Sequence, residues 1–114
     1  MAKLSLEAAQ TIWYPHHQLL EIIDTAKTLE LSLFEAFGET ERTIPYLDEL
    51  QNIAQQGVER FSRFSTLQIR VASTQPPVPQ DLLEIVNRAI ESTQQKIPAL
   101  KRSNNEIIQE FNLS

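Results

Sequence analysis

The chain has 114 residues, 41% of them hydrophobic, a formal net charge of −5 and no cysteine. That length carries one modest core, the apolar fraction argues against wholesale disorder, and the missing thiols exclude disulfides, thiolate nucleophiles, iron–sulfur clusters and cysteine zinc sites. Two glycines are too few for the turns of a β-rich fold, so an all-α single domain spanning residues 1–114 is expected.

No stretch approaches the ~18 uninterrupted apolar residues of a membrane span. The opening "MAKLSLEAAQTIWYPHH" holds no apolar run of signal-peptide length, so the sequence reads as cytoplasmic. Surplus acid argues against bulk binding to nucleic acid or to an anionic membrane, which relies on excess lysine and arginine.

A short helix is expected over residues 5–14, started by Ser5, with Leu6, Ala9 and Trp13 on one side. Pro15 follows. The Leu6–Trp13 face lies about 100° from the stripe beyond it, which points to a break. A long helix over 15–37 carries Leu19, Ile22, Ile23, Ala26, Leu29, Leu33 and Phe37, and Gly38 closes it as a left-handed cap. The next helix, over 44–73, has Thr43 as N-cap, Pro45 in its first turn, and Asp48 and Glu49 facing the positive end of its dipole. Its stripe is Leu47, Leu50, Ala54, Gly57, Phe61, Phe64, Gln68 and Val71, a heptad-like coiled-coil seam widened by Ile53, Val58 and Leu67. The proline-rich segment 74–79 forbids continuation.

The last helix is expected over 79–112, and Pro98 sits inside it. At about 100° per residue, Leu82, Val86, Ala89, Thr93, Ile97, Leu100, Asn104, Ile107 and Phe111 stay within roughly 80° of one another, so the stripe crosses the proline without slipping. No glycine precedes Pro98 to cap an ending, and Ile97 is a poor N-cap. One helix kinked at Pro98 is therefore expected, with the proline on its outer face.

Helices of this length, up to ~50 Å, make a rod rather than a globule. The fold expected is an elongated antiparallel bundle of three long helices plus the short N-terminal one. The apolar faces look too wide for one chain to cover: Leu20, Leu31 and Phe34 lie outside the main stripe of their helix. Exposed apolar surface on that scale means a partner, and a two-fold homodimer or a helical protein partner is the economical solution.

Gly57 costs ~1 kcal/mol in a helix relative to alanine, a cost that close approach of another helix offsets. Arg60, Arg63 and Arg70 line one edge of the second long helix. They offer a docking stripe for an acidic helix or a phosphate backbone, or simply stems laid over the core edge with their heads in water. Glu59–Arg63, Glu84–Arg88 and Arg102–Glu106 have the spacing of solvated ion pairs.

Chemistry finds little footing. His17 and Glu21 share a helix face, but two ligands make only the edge of a metal site, and no Glu-x-x-His pair stands on any helix. Both histidines read as ordinary residues at a helix start, and no metal or cofactor is expected. No nucleophile elbow or phosphate loop appears. Gln68 and Asn104 are polar positions on apolar stripes, of the kind that set register. Trp13 and Tyr14 would cap one end of the bundle. The reading is a non-catalytic homodimeric adaptor or regulatory subunit, its partner contacts on Leu47, Leu50, Ala54, Gly57, Phe61, Phe64, Arg60, Arg63 and Arg70. The alternative is a small subunit of a nucleic-acid complex using Arg60, Arg63 and Arg70.

Overall fold

The computed structural model describes residues 6–74 and 77–113, with side chains described from Pro15 onward. It consists of α1 (Leu6–Phe37), α2 (Ile44–Ser73) and α3 (Gln80–Phe111), with no strand among the described residues. At ~1.5 Å per residue each helix is ~45–48 Å long, and the body measures 55 × 18 × 17 Å. Helices of that length fit such a body only side by side along its long axis, so the chain reverses at each connector and runs up, down and up. The radius of gyration is 17.4 Å, above the ~13 Å of a compact globule of this length.

One helix stands where two were expected. α1 continues from Leu6 through Pro15 to Phe37, without a separate segment at 5–14. Pro15 is itself fully buried and opens the buried run Pro15, Leu19, Ile22, Ala26, Leu29, Leu33. A ring seated in the core offsets the single helical hydrogen bond that proline removes. The phase of the Leu6–Trp13 face tells where that face points, not whether the backbone breaks. Ser5 and the side chains of Trp13 and Tyr14, including the cap assigned to that pair, lie outside the described residues.

Gly38 ends α1 with φ of 70° and donates its N–H to Phe34 O at 2.8 Å, the left-handed cap anticipated. Thr43 precedes α2, but its hydroxyl makes no capping bond to the helix. It turns back instead, donating to Gly38 O at 2.7 Å and accepting from Thr40 N at 2.8 Å, so a buried threonine staples the turn. The first turn of α2 contains no acid. Asp48 and Glu49 fall one turn too late to gain much from the dipole, which acts over that first turn.

α3 runs unbroken through Pro98, which is exposed, as the phase argument required. Its stripe is buried at all nine positions named from the sequence, Asn104 included. Asn112 closes it with φ of 52°, and Leu113 N–H reaches Ile108 O at 2.9 Å. Leu113 packs back on the core, the hydrophobic contact that accompanies such an ending.

The core is one cluster along the rod axis. Close to its middle, Gly57 lets α2 approach α1 so tightly that a Cβ there would lie 2.7 Å from Ile23 Cγ1. At one end Phe111 meets Tyr46 edge-on at 4.9 Å and Phe37 at 5.5 Å. The Arg42 guanidinium lies 4.7 Å over the Phe111 ring and 3.5 Å from Glu110. That cluster ties the α1–α2 turn to the end of α3.

Candidate functional site

Leu47, Leu50, Ala54, Gly57 and Phe64, expected as partner contacts, are buried inside the single chain, and Phe61 is half-buried against the same core. Among the described residues, Leu50, Ala54 and Gly57 line no groove and serve the fold, whereas Leu47 and Phe64, buried as they are, each form part of the wall of one groove. The α2 and α3 stripes cover each other and α1 more fully than their width suggested, because three wide faces converge on one axis. Val58, added to widen the α2 stripe, stays 49% exposed.

Ile69 on α2 and Ile85 on α3 are exposed singly, and α1 leaves several apolar side chains open along its outer side. Leu20 is 51% exposed, Leu31 58% and Phe34 50%. Leu20, Lys27 and Phe34 recur every seventh residue, so they stand within about 40° on the helix, with Leu31 beside them. Towards the α1–α2 turn this stripe opens into a groove of about 400 Å³, with Leu31, Phe34, Ile44 and Leu47 as its apolar lining. Lys27 and Glu30 border it at one end, and Glu39 and Asp48 further on. Lys27 Nζ sits 3.2 Å from Glu30 Oε1.

A second groove, of about 440 Å³, lies between α2 and α3. Arg60 and Arg63 enter it from α2 and Arg88 from α3, with Gln56, Glu59, Ser92 and Thr93 around them. Arg60 Nη1 donates across to Ser92 Oγ at 3.2 Å and Thr93 Oγ1 at 3.3 Å, holding its guanidinium on the α3 side. Among the described residues the ion pairs are His17–Glu21, Lys27–Glu30 and Arg42–Glu110. The pairs expected for Glu59–Arg63, Glu84–Arg88 and Arg102–Glu106 are not formed. Glu59 accepts instead from Gln55 Nε2 at 3.2 Å. Arg70 shares the same edge of α2, ~10 Å beyond Arg63, but does not line the groove. It sits in the last turn of α2, where it complements the dipole. Arg88 takes the place that sequence reasoning assigned to Arg70, because the register of α3 against α2 is not written in either helix alone.

The two histidines part company. His17 Nε2 meets Glu21 Oε1 at 3.1 Å on an exposed surface, and no group of three or more metal-ligating side chains occurs among the described residues. His16 is buried, its ring 4.4 Å from Phe61 and 5.4 Å from Phe64 between centroids. Burial pushes its pKa below the usual histidine value, since the charged imidazolium loses its hydration there. Its Nε2 finds no hydrogen-bond partner. The signal for this role was present: His16 stands three residues before Leu19 and seven before Ile23, on the core side. Among the described residues, Asn104 is the other buried polar residue with an unmet atom; its Nδ2 reaches Ile22 O at 3.4 Å while Oδ1 has no partner.

No helix among the described residues is long and apolar enough to cross a membrane. Compared with family sequence models, with curated proteins and with solved structures, the chain finds no match.

Proposed function

We propose that the protein is a small, cytoplasmic, non-catalytic bundle that works by association, as a homodimeric adaptor or regulatory subunit. One observation carries the reading: Leu31, Phe34 and Ile44 remain 58%, 50% and 44% exposed side by side along one groove, after the chain has packed its core. Full burial of one such side chain contributes ~1.5–3 kcal/mol, and contiguous apolar patches of this kind mark interaction surfaces.

The occupant is a second copy of the chain. In a two-fold interface each contact is made twice, residue i to j and j to i. Lys27 lies ~10 Å from Phe34 along α1, towards one end of the groove, and Glu39 belongs to the turn at the other. A copy rotated by the two-fold sets each protomer's lysine against the other's acids while the apolar linings meet. As part of the same reading, α3 bends at Pro98 towards its buried stripe, because the missing hydrogen bond lies on the exposed side.

Sedimentation equilibrium across micromolar concentrations tests this. The wild type should reach twice its 13.1 kDa mass, and Leu31→Glu with Phe34→Glu should return it to the monomer without loss of helix. A wild type that stays monomeric at tens of micromolar removes the proposal.

A further inference from the structure

We propose that the α2–α3 groove is a binding site for a compact dianion of the phosphomonoester class, held by Arg60, Arg63 and Arg88. The site is separate from the apolar groove on α1 and does not depend on the dimer.

The charge balance of the groove points to an anion. Three guanidinium groups face one carboxylate, Glu59, which leaves a local charge of two positive units in a chain whose total is −5. None of the three arginines has a carboxylate within the 4.0 Å of an ion pair among the described residues. Glu59 and Glu84 stand at the helical spacing that could have neutralised Arg63 and Arg88, and neither does so.

The geometry adds pre-organisation. Arg60 is fixed by one nitrogen to Ser92 and Thr93, and Thr93 is buried. The remaining N–H groups of that guanidinium fork are left for a ligand, and a planar fork matches a phosphate through paired bonds. Ser92 and Gln56 supply neutral polar groups beside the charge, and Phe64 and Ala89 an apolar edge. The volume of about 440 Å³ lies in the usual range of small-ligand sites.

A long polyanion fits less well. It would need a continued basic track, yet Arg70, Lys96 and Lys101 do not line the groove, and the acidic remainder of the surface repels an extended phosphate chain. An acidic helix would need an apolar seam to lie on, and the exposed lining here is mostly polar and charged. A compact dianion meets only the local field.

The test is a titration of the full chain with inorganic phosphate and with phenyl phosphate, followed by the arginine side-chain N–H resonances at constant ionic strength. Saturable shifts at Arg60, Arg63 and Arg88 are expected. Arg63→Gln or Arg88→Gln should each weaken binding about tenfold, as expected for a charged hydrogen bond, while Arg70→Gln leaves it unchanged. Arg63, Arg70 and Arg88 are exposed, so the variants should keep the wild-type circular dichroism. The proposal is overturned if chloride reproduces the shifts, or if neither groove variant weakens them. Tighter binding of a glutamate-rich peptide, or of a single-stranded oligonucleotide with loss on Arg70→Gln, replaces it with a polymer-binding surface.

Discussion

Gly57 and Ile23 meet where α2 lies closest to α1: a Cβ on Gly57 would stand 2.7 Å from Ile23 Cγ1 and 3.3 Å from its Cδ1. Two effects of alanine at this position oppose each other. Helix propensity favours it by ~1 kcal/mol, but isoleucine is stiff at χ1 in a helix, so the contact is relieved only by strain or by moving α1, at ~1–3 kcal/mol. Gly57→Ala should therefore destabilise by about 1 kcal/mol in urea unfolding. In an Ile23→Ala background the same change should become neutral or stabilising, and equal effects in both backgrounds would show that the contact does not matter.

His16 predicts a direction with pH. Its folded-state pKa lies below the ordinary 6.5, so between the two values the unfolded chain binds more protons and stability rises with pH. The contribution is intact above the unfolded pKa and is lost as pH falls from about 7 through 6.5 towards the lower folded value. Denaturation midpoints at pH 8 and pH 5.5 should differ for the wild type by more than for His16→Phe, which keeps an aromatic ring against Phe61 and Phe64. An identical pH response in the two proteins would mean that His16 protonates as freely folded as unfolded.

Asn104 is 3% exposed, with one long hydrogen bond at 3.4 Å and an unpartnered Oδ1. Replacing such a residue with an apolar one of similar size relieves an unmet desolvation cost of ~1–3 kcal/mol. Asn104→Leu should raise the thermal midpoint by several degrees, at ~4–8 °C per kcal/mol for a small domain. A drop would show that the amide is satisfied after all and that it fixes the register of α3 on α1.

The two helical prolines should answer differently to alanine. Pro98 is exposed, so Pro98→Ala regains a helical hydrogen bond at no packing cost and should stabilise by ~1–3 kcal/mol. Pro15 is fully buried, and there the regained bond is set against lost ring contacts, leaving a change within ~1 kcal/mol of zero. Guanidinium melts of the two variants separate these cases, and a larger gain at Pro15 than at Pro98 would contradict the burial assigned to each.

Periodicity made the α3 stripe legible in the sequence, through Pro98 and including Asn104, because a constant phase is a property of one helix and needs no knowledge of its neighbours. The Gly38 cap and the close approach at Gly57 are legible for a like reason, since glycine marks a left-handed backbone in the one case and a place with no room for a Cβ in the other. The break expected at Pro15 does not occur, because proline is also an apolar ring that can occupy a core position. The α2 seam, expected to meet a partner, packs largely inside the chain, because a single stripe does not show how completely two others will cover it. Arg88 rather than Arg70 joins Arg60 and Arg63 in the groove, since pairing across helices depends on inter-helix register, which no single helix encodes.

The chain contains no cysteine, so Glu35→Cys beside Phe34 gives one nitroxide per protomer and any dipolar coupling must come from a second copy. Double electron–electron resonance at micromolar concentration should show a defined distance, shorter than the 55 Å length of the rod, that vanishes when Leu31→Glu and Phe34→Glu are added. A featureless background from isolated spins, with the helices intact, would contradict association through the outer face of α1.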